Sequence, residues 1–390
     1  MNETFFAPCP RGLENALTAE LSLLGAVAPQ TLSGGVVFHG DLSLAYRVNL
    51  ESRLASRVLW HVAKQPYQNE QDLYTITYDI DWSRLFSAER TLRVDLTATR
   101  SPLTSLSFAT LRIKDAICDR FRAEGQLRPS IDKQSPDVRV YAYLTDKEAT
   151  LYLDTSGEAL FKRGYRKNSE EAPLRENLAA GLLLLTGWTP DIPLLDPMCG
   201  SGTIATEAAL IAARQAPGLH RGFGFQKLHW YDGPTWQRIK QKALDAVCPA
   251  PETPAIFAGD VSEDALERAK AYAAHARVAD WITFSTGNAC RREAHASTGI
   301  WLTNPPYGVR LEASQTLTAL YPALGTTLKR SFAGWHAWFF SGDQQLPKLI
   351  GLKPERRIPL FNGALDCRLY GFKIVEGSMR RNKPAPDVSS

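Results

Sequence analysis

Leu13, Leu17, Leu21 and Leu24 recur at helical spacing between two short apolar runs, Thr4 to Ala7 and Val36-Val37-Phe38, the second preceded by Gly34-Gly35. The pattern predicts strand, helix, strand. A second helix is predicted from Leu44 to Leu59. Residues 73–100 alternate as strands do, for example Leu92-Arg93-Val94-Asp95-Leu96-Thr97-Ala98. A helix follows that carries Phe108, Leu111, Ile117 and Phe121, apolar positions that should anchor it to a sheet. Two more strands are expected at Val138–Leu144 and Ala149–Asp154. This first half is α+β and holds no catalytic motif.

From Thr155 to Pro173 the chain turns polar and basic, with Gly164 and the run Lys162-Arg163-Gly164-Tyr165-Arg166-Lys167, and a domain boundary is placed there. The apolar helix Leu174 to Thr186 should pack on the next domain. Strands are then expected near 192–196, 255–259, 282–286, 299–303, 336–341, 356–361 and 367–374. Helices such as Ser262–Ala276 fall between them, and one carries the stripe Leu317, Leu320, Tyr321, Leu324 and Leu328. Such alternation means an open, mostly parallel sheet wrapped by helices, which binds ligands outside the carboxyl ends of its strands. The last two strands are joined only by Asn362 to Asp366, too short for a crossover, so they should pair antiparallel.

At 390 residues the chain is too long for one typical core and calls for two or three domains. No apolar stretch approaches the ~20 residues of a membrane helix. The segment Met1 to Phe6 lacks the basic region and long apolar core of a secretion signal, so a cytoplasmic protein with no membrane partner is expected. The six cysteines and seven histidines show no paired spacing, and neither a metal site nor a disulfide frame is expected. Cys9, in Pro8-Cys9-Pro10, superficially resembles the nucleophile of cytosine-C5 methylation but stands far upstream of the cofactor motif and is read as structural. A net charge of +4 says little about partners. Its distribution says more: residues 347–383 hold nine basic against three acidic side chains, an excess greater than that of the whole chain. That segment fits either a solvated basic edge or a phosphate-contacting face.

Two motifs fall at strand ends. In Leu194-Leu195-Asp196-Pro197-Met198-Cys199-Gly200-Ser201-Gly202-Thr203 a strand runs into a glycine turn and then a helix, the arrangement that cradles a nucleotide-like cofactor. Gly200 and Gly202 would let the backbone approach a ligand closely. Asp196 can accept a hydrogen bond from the ammonium of a methionine moiety. A turn of this kind could also bind a dinucleotide; the lack of a full Gly-x-Gly-x-x-Gly argues against it. The next strand ends Phe257-Ala258-Gly259-Asp260, where a carboxylate can take both ribose hydroxyls or cap the following helix, and Val261 would touch the adenine face. Residues 215–254 insert a Pro-, Gly- and Trp-rich stretch between the two carboxylates. At the third strand, Gly287-Asn288-Ala289 could meet the adenine amino group through the Asn288 amide.

The second motif, Asn304-Pro305-Pro306-Tyr307, ends the run Gly299-Ile300-Trp301-Leu302-Thr303. A base amine is a poor nucleophile because its lone pair is delocalised into the ring. Oδ1 of Asn304 and the carbonyl of Pro305 can each accept one of its N–H groups, favouring the pyramidal nitrogen that attacks a sulfonium methyl. The prolines, Pro306 included, hold that carbonyl rigid, and Tyr307 can stack on the base, so catalysis is by positioning and electrostatics. The order and spacing of the two motifs resemble the amino-group branch of the S-adenosylmethionine-dependent methyltransferases. The residues alone leave adenine N6, guanine N2 and a glutamine amide open as acceptors.

Nearly the whole chain resembles the bacterial large-subunit ribosomal RNA guanine-N2 methyltransferases that carry an N-terminal THUMP domain. The likeness is carried by Tyr46 to Arg53 with Ser56 to Leu59, Ala172 to Ala180, Asp196 to Thr203, Asn304 to Tyr307, and Leu360 to Arg368. It implies a ferredoxin-like region at 1–60, a THUMP RNA-binding domain at 61–160 and a Rossmann-like class I methyltransferase domain with a seven-stranded, mostly parallel sheet at 161–390. It implies guanine N2 of 23S ribosomal RNA as acceptor, before full subunit assembly, S-adenosylmethionine as cofactor, with Pro173 and Leu174 added to its contacts, and no obligate protein partner. Relatives often hold an acidic residue where Asn288 stands. Some are fused to a second methyltransferase domain, whereas this sequence stops soon after the sheet, so one methylation activity is expected.

Adenine-N6 methylation of DNA would need a duplex-recognition region that 83 residues after Tyr307 do not supply. A non-catalytic RNA-binding assembly protein is the alternative from another class; it predicts damaged motifs, and both are intact. Arg112 and Lys114, with Arg163, Arg166 and Lys167 on the connection, are expected to form a phosphate-binding track toward Tyr307.

Overall fold

The computed structural model describes residues 2–166, 174–306 and 311–376, the stretch 311–318 by its backbone alone. The chain begins with β1 (Glu3–Pro8), α1 (Glu14–Leu23), β2 (Val27–Leu32), β3 (Gly35–Gly40), α2 (Leu42–Glu51) and β4 (Leu59–Pro66). Their strand order, β2-β3-β1-β4, is the ferredoxin-like one. There follow α3 (Glu70–Tyr78), β5 (Leu92–Ala98), α4 (Leu106–Ala123), β6 (Val138–Leu144) and β7 (Glu148–Asp154). Because β4 pairs antiparallel with both β1 and β7, all seven strands make one sheet, β2-β3-β1-β4-β7-β6-β5. A boundary at residue 60 therefore cuts a shared strand.

Three expectations for this half need correction. The helix expected to Leu59 stops at Glu51, because the Glu20 carboxylate accepts from Ser52 Oγ at 2.6 Å and from the Arg53 N–H at 2.8 Å and draws the chain out of the helix. Residues 70–78 are helical: Asn69 and Asp72 form a capping box that outweighs the β-branched run Thr75-Ile76-Thr77. In α4 the buried face is Ala109, Ile113, Ala116, Ile117 and Phe121, while Phe108 and Leu111 are each 51% exposed and anchor nothing. The sequence pattern also missed β2, whose side chains are mostly exposed and show no alternation.

The second half comprises α5 (Glu176–Thr186), β8 (Leu194–Asp196), α6 (Thr203–Ala212), α7 (Gly233–Asp245), β9 (Ile256–Asp260), α8 (Glu263–His275), β10 (Ile282–Thr286), β11 (Ile300–Thr303), α9 (Leu311–Ser331), β12 (His336–Ser341), α10 (Leu346–Ile350), β13 (Arg356–Asn362) and β14 (Leu365–Lys373). Every strand expected here is present. The sheet order is β10-β9-β8-β11-β12-β14-β13, parallel except for β14, which pairs antiparallel with β12 and β13. From β8 the chain builds outward through β9 and β10, then returns to β11 on the other side. The crevice between the ends of β8 and β11 is thus the switch point at which such sheets bind ligands.

The inserted stretch joins the halves. Tyr46 on α2 is ringed by Phe225, Trp230, Tyr231 and Trp236, with centroids 4.5, 5.4, 6.1 and 6.2 Å away. Its hydroxyl donates to Trp230 O at 3.2 Å and accepts from the Asp232 N–H at 2.8 Å. Arg53 donates to Leu210 O on α6 and to Gln215 O just beyond it. One hydrophobic cluster runs through both halves. Among the described residues no helix is long and apolar enough to cross a membrane.

Candidate active site

Between Asp196 and Thr203 the chain turns on two glycines in the left-handed region, Gly200 at φ +53 and Gly202 at φ +74. A Cβ on Gly202 would stand 2.8 Å from Ala269 Cβ on α8, so bare backbone is what lets α6 and α8 approach. A Cβ on Gly200 would meet nothing within 4 Å, which leaves the turn facing open space beyond the sheet. Asp260 closes the turn. Its Oδ2 accepts from the Gly200 N–H and its Oδ1 from the Ser262 N–H, both at 2.9 Å. The helix-cap reading of this carboxylate is corrected, because the cap of α8 is Ser262, whose hydroxyl accepts from the Ala265 N–H; each Asp260 oxygen keeps a second lone pair to offer a diol.

Around this turn, Val261 is 73% exposed, an apolar side chain held out in solvent. Asn288 Oδ1 accepts from the Cys290 N–H at 2.8 Å, which fixes its amide plane, and Ala289 is buried beside it. Pro197 and Cys199 are buried and Met198 and Ser201 half-buried in the turn. Burial and the nearby carboxylates of Asp196 and Asp260 push the Cys199 thiol up, and burial takes Cys9 up to about 12, so neither is a thiolate at neutral pH. Sequence reasoning missed Arg292, which donates to Ser285 Oγ and Ser285 O at 2.7 Å each and lies where a Cβ on Gly259 would stand. No local motif marks it, because the contact joins two strand ends.

The two motifs are bonded to each other. Thr303, the last residue of β11, donates its hydroxyl to Asp196 Oδ1 at 2.9 Å, and the Met198 N–H donates to the same oxygen at 3.3 Å. Asp196 is 2% exposed, and burial lifts its carboxyl from the usual range to about 7, with a smaller contribution from the charge of Asp260. One residue beyond Thr303, the Oδ1 of Asn304 is buried and has no hydrogen-bond partner among the described residues. An orphaned acceptor costs about 1–3 kcal/mol, and native proteins retain few of them. Pro305 is buried and Pro306 exposed; Tyr307 lies outside the described residues.

The expected phosphate track is not brought together. Arg163 is 4% exposed, donates to Leu160 O at 2.8 Å and Arg53 O at 2.6 Å, and lies 3.4 Å from Glu207 on α6. It is a buried tie between the halves, so its assignment to RNA is corrected. Arg166 is likewise turned inward, donating to Thr203 Oγ1 at the start of α6 and standing 3.3 Å from Glu176. Arg112, over the Tyr74 ring at 4.4 Å, and Lys114, paired with Asp115, stay on the outer side of α4. Leu174 is buried; Lys167 and Pro173 lie outside the described residues.

Residues 163–371 match the family described as RMKL-like, methyltransferase domain; residues 67–154 match the THUMP domain and residues 4–59 the RlmL ferredoxin-like domain. Ribosomal RNA large subunit methyltransferase K/L of Shewanella oneidensis is 38% identical over 97% of this chain, which covers 54% of that protein. The chain thus spans about half the length of the curated relatives it matches. The crystal structure of SMU.472 complexed with SAH superposes with a TM-score of 0.88 at 28% identity, covering 97% of this chain and 99% of that one. A structure from Listeria monocytogenes, titled as an N6-adenine-specific DNA methylase, gives 0.87 at 31% identity, covering 96% and 97%.

Proposed function

We infer the function from family membership, for the chain belongs to the RMKL-like methyltransferase family, with THUMP and ferredoxin-like regions before the catalytic domain. Its reaction is methyl transfer from S-adenosylmethionine to the exocyclic N2 of a guanine in 23S ribosomal RNA, in the cytoplasm and before the subunit is fully assembled. The observation that carries this reading is the Oδ1 of Asn304, buried and without a hydrogen-bond partner among the described residues, held at the switch point by the neighbouring Thr303–Asp196 bond. An acceptor kept dry and unsatisfied suits a planar amino group that must give up conjugation to become nucleophilic. The K/L relatives support ribosomal RNA as substrate.

The chain's residues fit the cofactor. The open face of Gly200 admits an adenosyl group, Asp260 has lone pairs for the ribose hydroxyls, and the buried Asp196 suits a cationic ammonium. When bound, S-adenosylmethionine supplies an electrophilic methyl on sulfur. Asn304 and the Pro305 carbonyl orient the amine, and no strong base is required, because the methylated ammonium releases its proton to water. Labelled-cofactor methylation of a 23S transcript and of matched DNA, followed by nucleoside analysis, tests the assignment. N2-methylguanosine is expected; N6-methyladenine, the reading offered by the Listeria structure's title, would replace it.

Two binding predictions arise here. Asp260→Ala should weaken S-adenosylhomocysteine binding by roughly 1.5–3 kcal/mol in calorimetry, through lost charge-assisted bonds; unchanged binding would leave Asp260 a loop-closing residue only. The second concerns pH. In the free protein Asp196 keeps its proton up to about 7, and an ammonium ligand favours the ionised form. Affinity should therefore rise roughly tenfold from pH 6 to pH 8, and Asp196→Asn should flatten the profile. The same shift acts on folding with the opposite trend. The folded state holds a proton that the unfolded chain has lost, so this group's contribution to stability falls as pH rises from about 4 to about 7.

A further inference from the structure

We propose that the cleft where the N-terminal region meets the β13–β14 hairpin holds a backbone phosphate of the RNA strand carrying the target base, with Arg11 and Arg175 as its cationic clamp. The inference rests on the function proposed above and adds to it the place where the strand is gripped.

The cleft has a volume of about 160 Å³ and is lined by Arg11, Ser56, Arg175, Phe361 and Asn362 among others, with no acidic side chain among the lining residues. That is room for a phosphate and its sugar, and small against the roughly 300–1,000 Å³ of pockets that enclose a whole small molecule. Its position points to the catalytic face. β12 and β13 both run antiparallel to β14, so β13 is parallel to β11 and β12, and the hairpin tip at Asn362 and Gly363 emerges at the sheet edge where Asn304 stands. In the order β11-β12-β14-β13, three strand spacings of ~4.8 Å set β13 roughly 14 Å to the side of β11, and the register, which levels Thr303 with Arg357, carries Asn362 ~13 Å further along, so the two ends stand roughly 20 Å apart. A short run of nucleotides flanking the target can span that distance, so the phosphate held here is not the target's own. Arg175 lies on the other wall, next to Leu174 at the start of α5.

The walls are built to hold still. Gly12 sits at φ +95, and a Cβ there would meet Pro359 O at 2.6 Å and Leu360 Cδ2 at 2.8 Å, so the loop after β1 is pressed directly onto β13. The Arg11 guanidinium lies over the Phe361 ring at 4.1 Å and that of Arg175 over Phe161 at 4.9 Å, which sets both planes while leaving their N–H edges to donate. The other arginines of this interface are committed. Arg53 and Arg221 donate to backbone carbonyls, Arg57 pairs with Asp154 and Arg163 with Glu207. Arg11 and Arg175 are exposed, and among the described residues neither has a carboxylate partner. Paired, planar guanidinium donors without a counter-charge match a phosphodiester.

The test uses the full chain, a 23S ribosomal RNA transcript and the variants Arg11→Gln, Arg175→Gln and their combination. Both side chains are exposed, so all three should melt as the wild type does; if one single variant does not, the other carries the test alone. Expected is at least a tenfold rise in RNA Kd and KM for the double variant. The slope of log Kd against log salt should shrink by about 0.7 for each phosphate that is no longer neutralised. Saturating kcat and S-adenosylhomocysteine affinity should stay at wild-type values. If the wild type methylates the transcript and the folded variants keep its Kd and salt slope, the cleft is overturned and the methyltransferase reading stands. If the wild type binds no RNA, both fall together.

Discussion

Asn304→Ala is expected to lower turnover ~100-fold or more while leaving S-adenosylhomocysteine affinity nearly unchanged. The size follows from removing one preorganised hydrogen-bonding group at a reacting centre. The selectivity follows from geometry, because the cofactor-side residues are fixed by other bonds: Asp196 by Thr303 and Met198, Asp260 by Gly200 and Ser262. Stability should respond in the other direction. Since the Oδ1 acceptor is buried without a partner among the described residues, its removal should not destabilise the protein and should relieve part of the desolvation cost. A variant that is inactive yet melts at or above the wild-type temperature would match this expectation. Single-turnover rates with calorimetry on the same preparation decide it, and retained turnover would sink the catalytic assignment.

Arg163→Ala should cost about 3–5 kcal/mol of stability, the penalty for leaving one member of a buried ion pair alone. Glu207 is fully buried, and the Arg53 and Leu160 carbonyls would lose their donor as well. A urea titration of the variant is the check, and a midpoint close to wild type would show that water or a neighbour replaces the guanidinium. Arg163→Glu would be worse, placing two carboxylates together, and any loss of RNA binding in it would report unfolding.

The catalytic sheet was legible because its central strands are short apolar runs between turn residues, and glycine and proline punctuate the ligand-binding ends. Asp196, Gly200, Asp260 and Asn304 all fall at such ends. The N-terminal half read less well. Its helix over 70–78 is decided by a two-residue capping box against a β-like composition, and α2 is ended by a carboxylate from another helix. Long-range polar contacts were the general blind spot. Arg163 and Arg166, in a basic run, were expected on a phosphate-binding track, and their acidic partners stand 44 and 10 positions away. Arg292 and Thr303 act across strand ends, and no local spacing encodes that.

The aromatic ring around Tyr46 sets a schedule for synthesis. Tyr46 emerges from the ribosome 184 residues before Trp230. At ~5–20 residues per second the α2 face then waits roughly 10–40 s for its cover. The N-terminal sheet can form its strands in that interval, but the apolar side of α2 stays open to water until the inserted stretch is made.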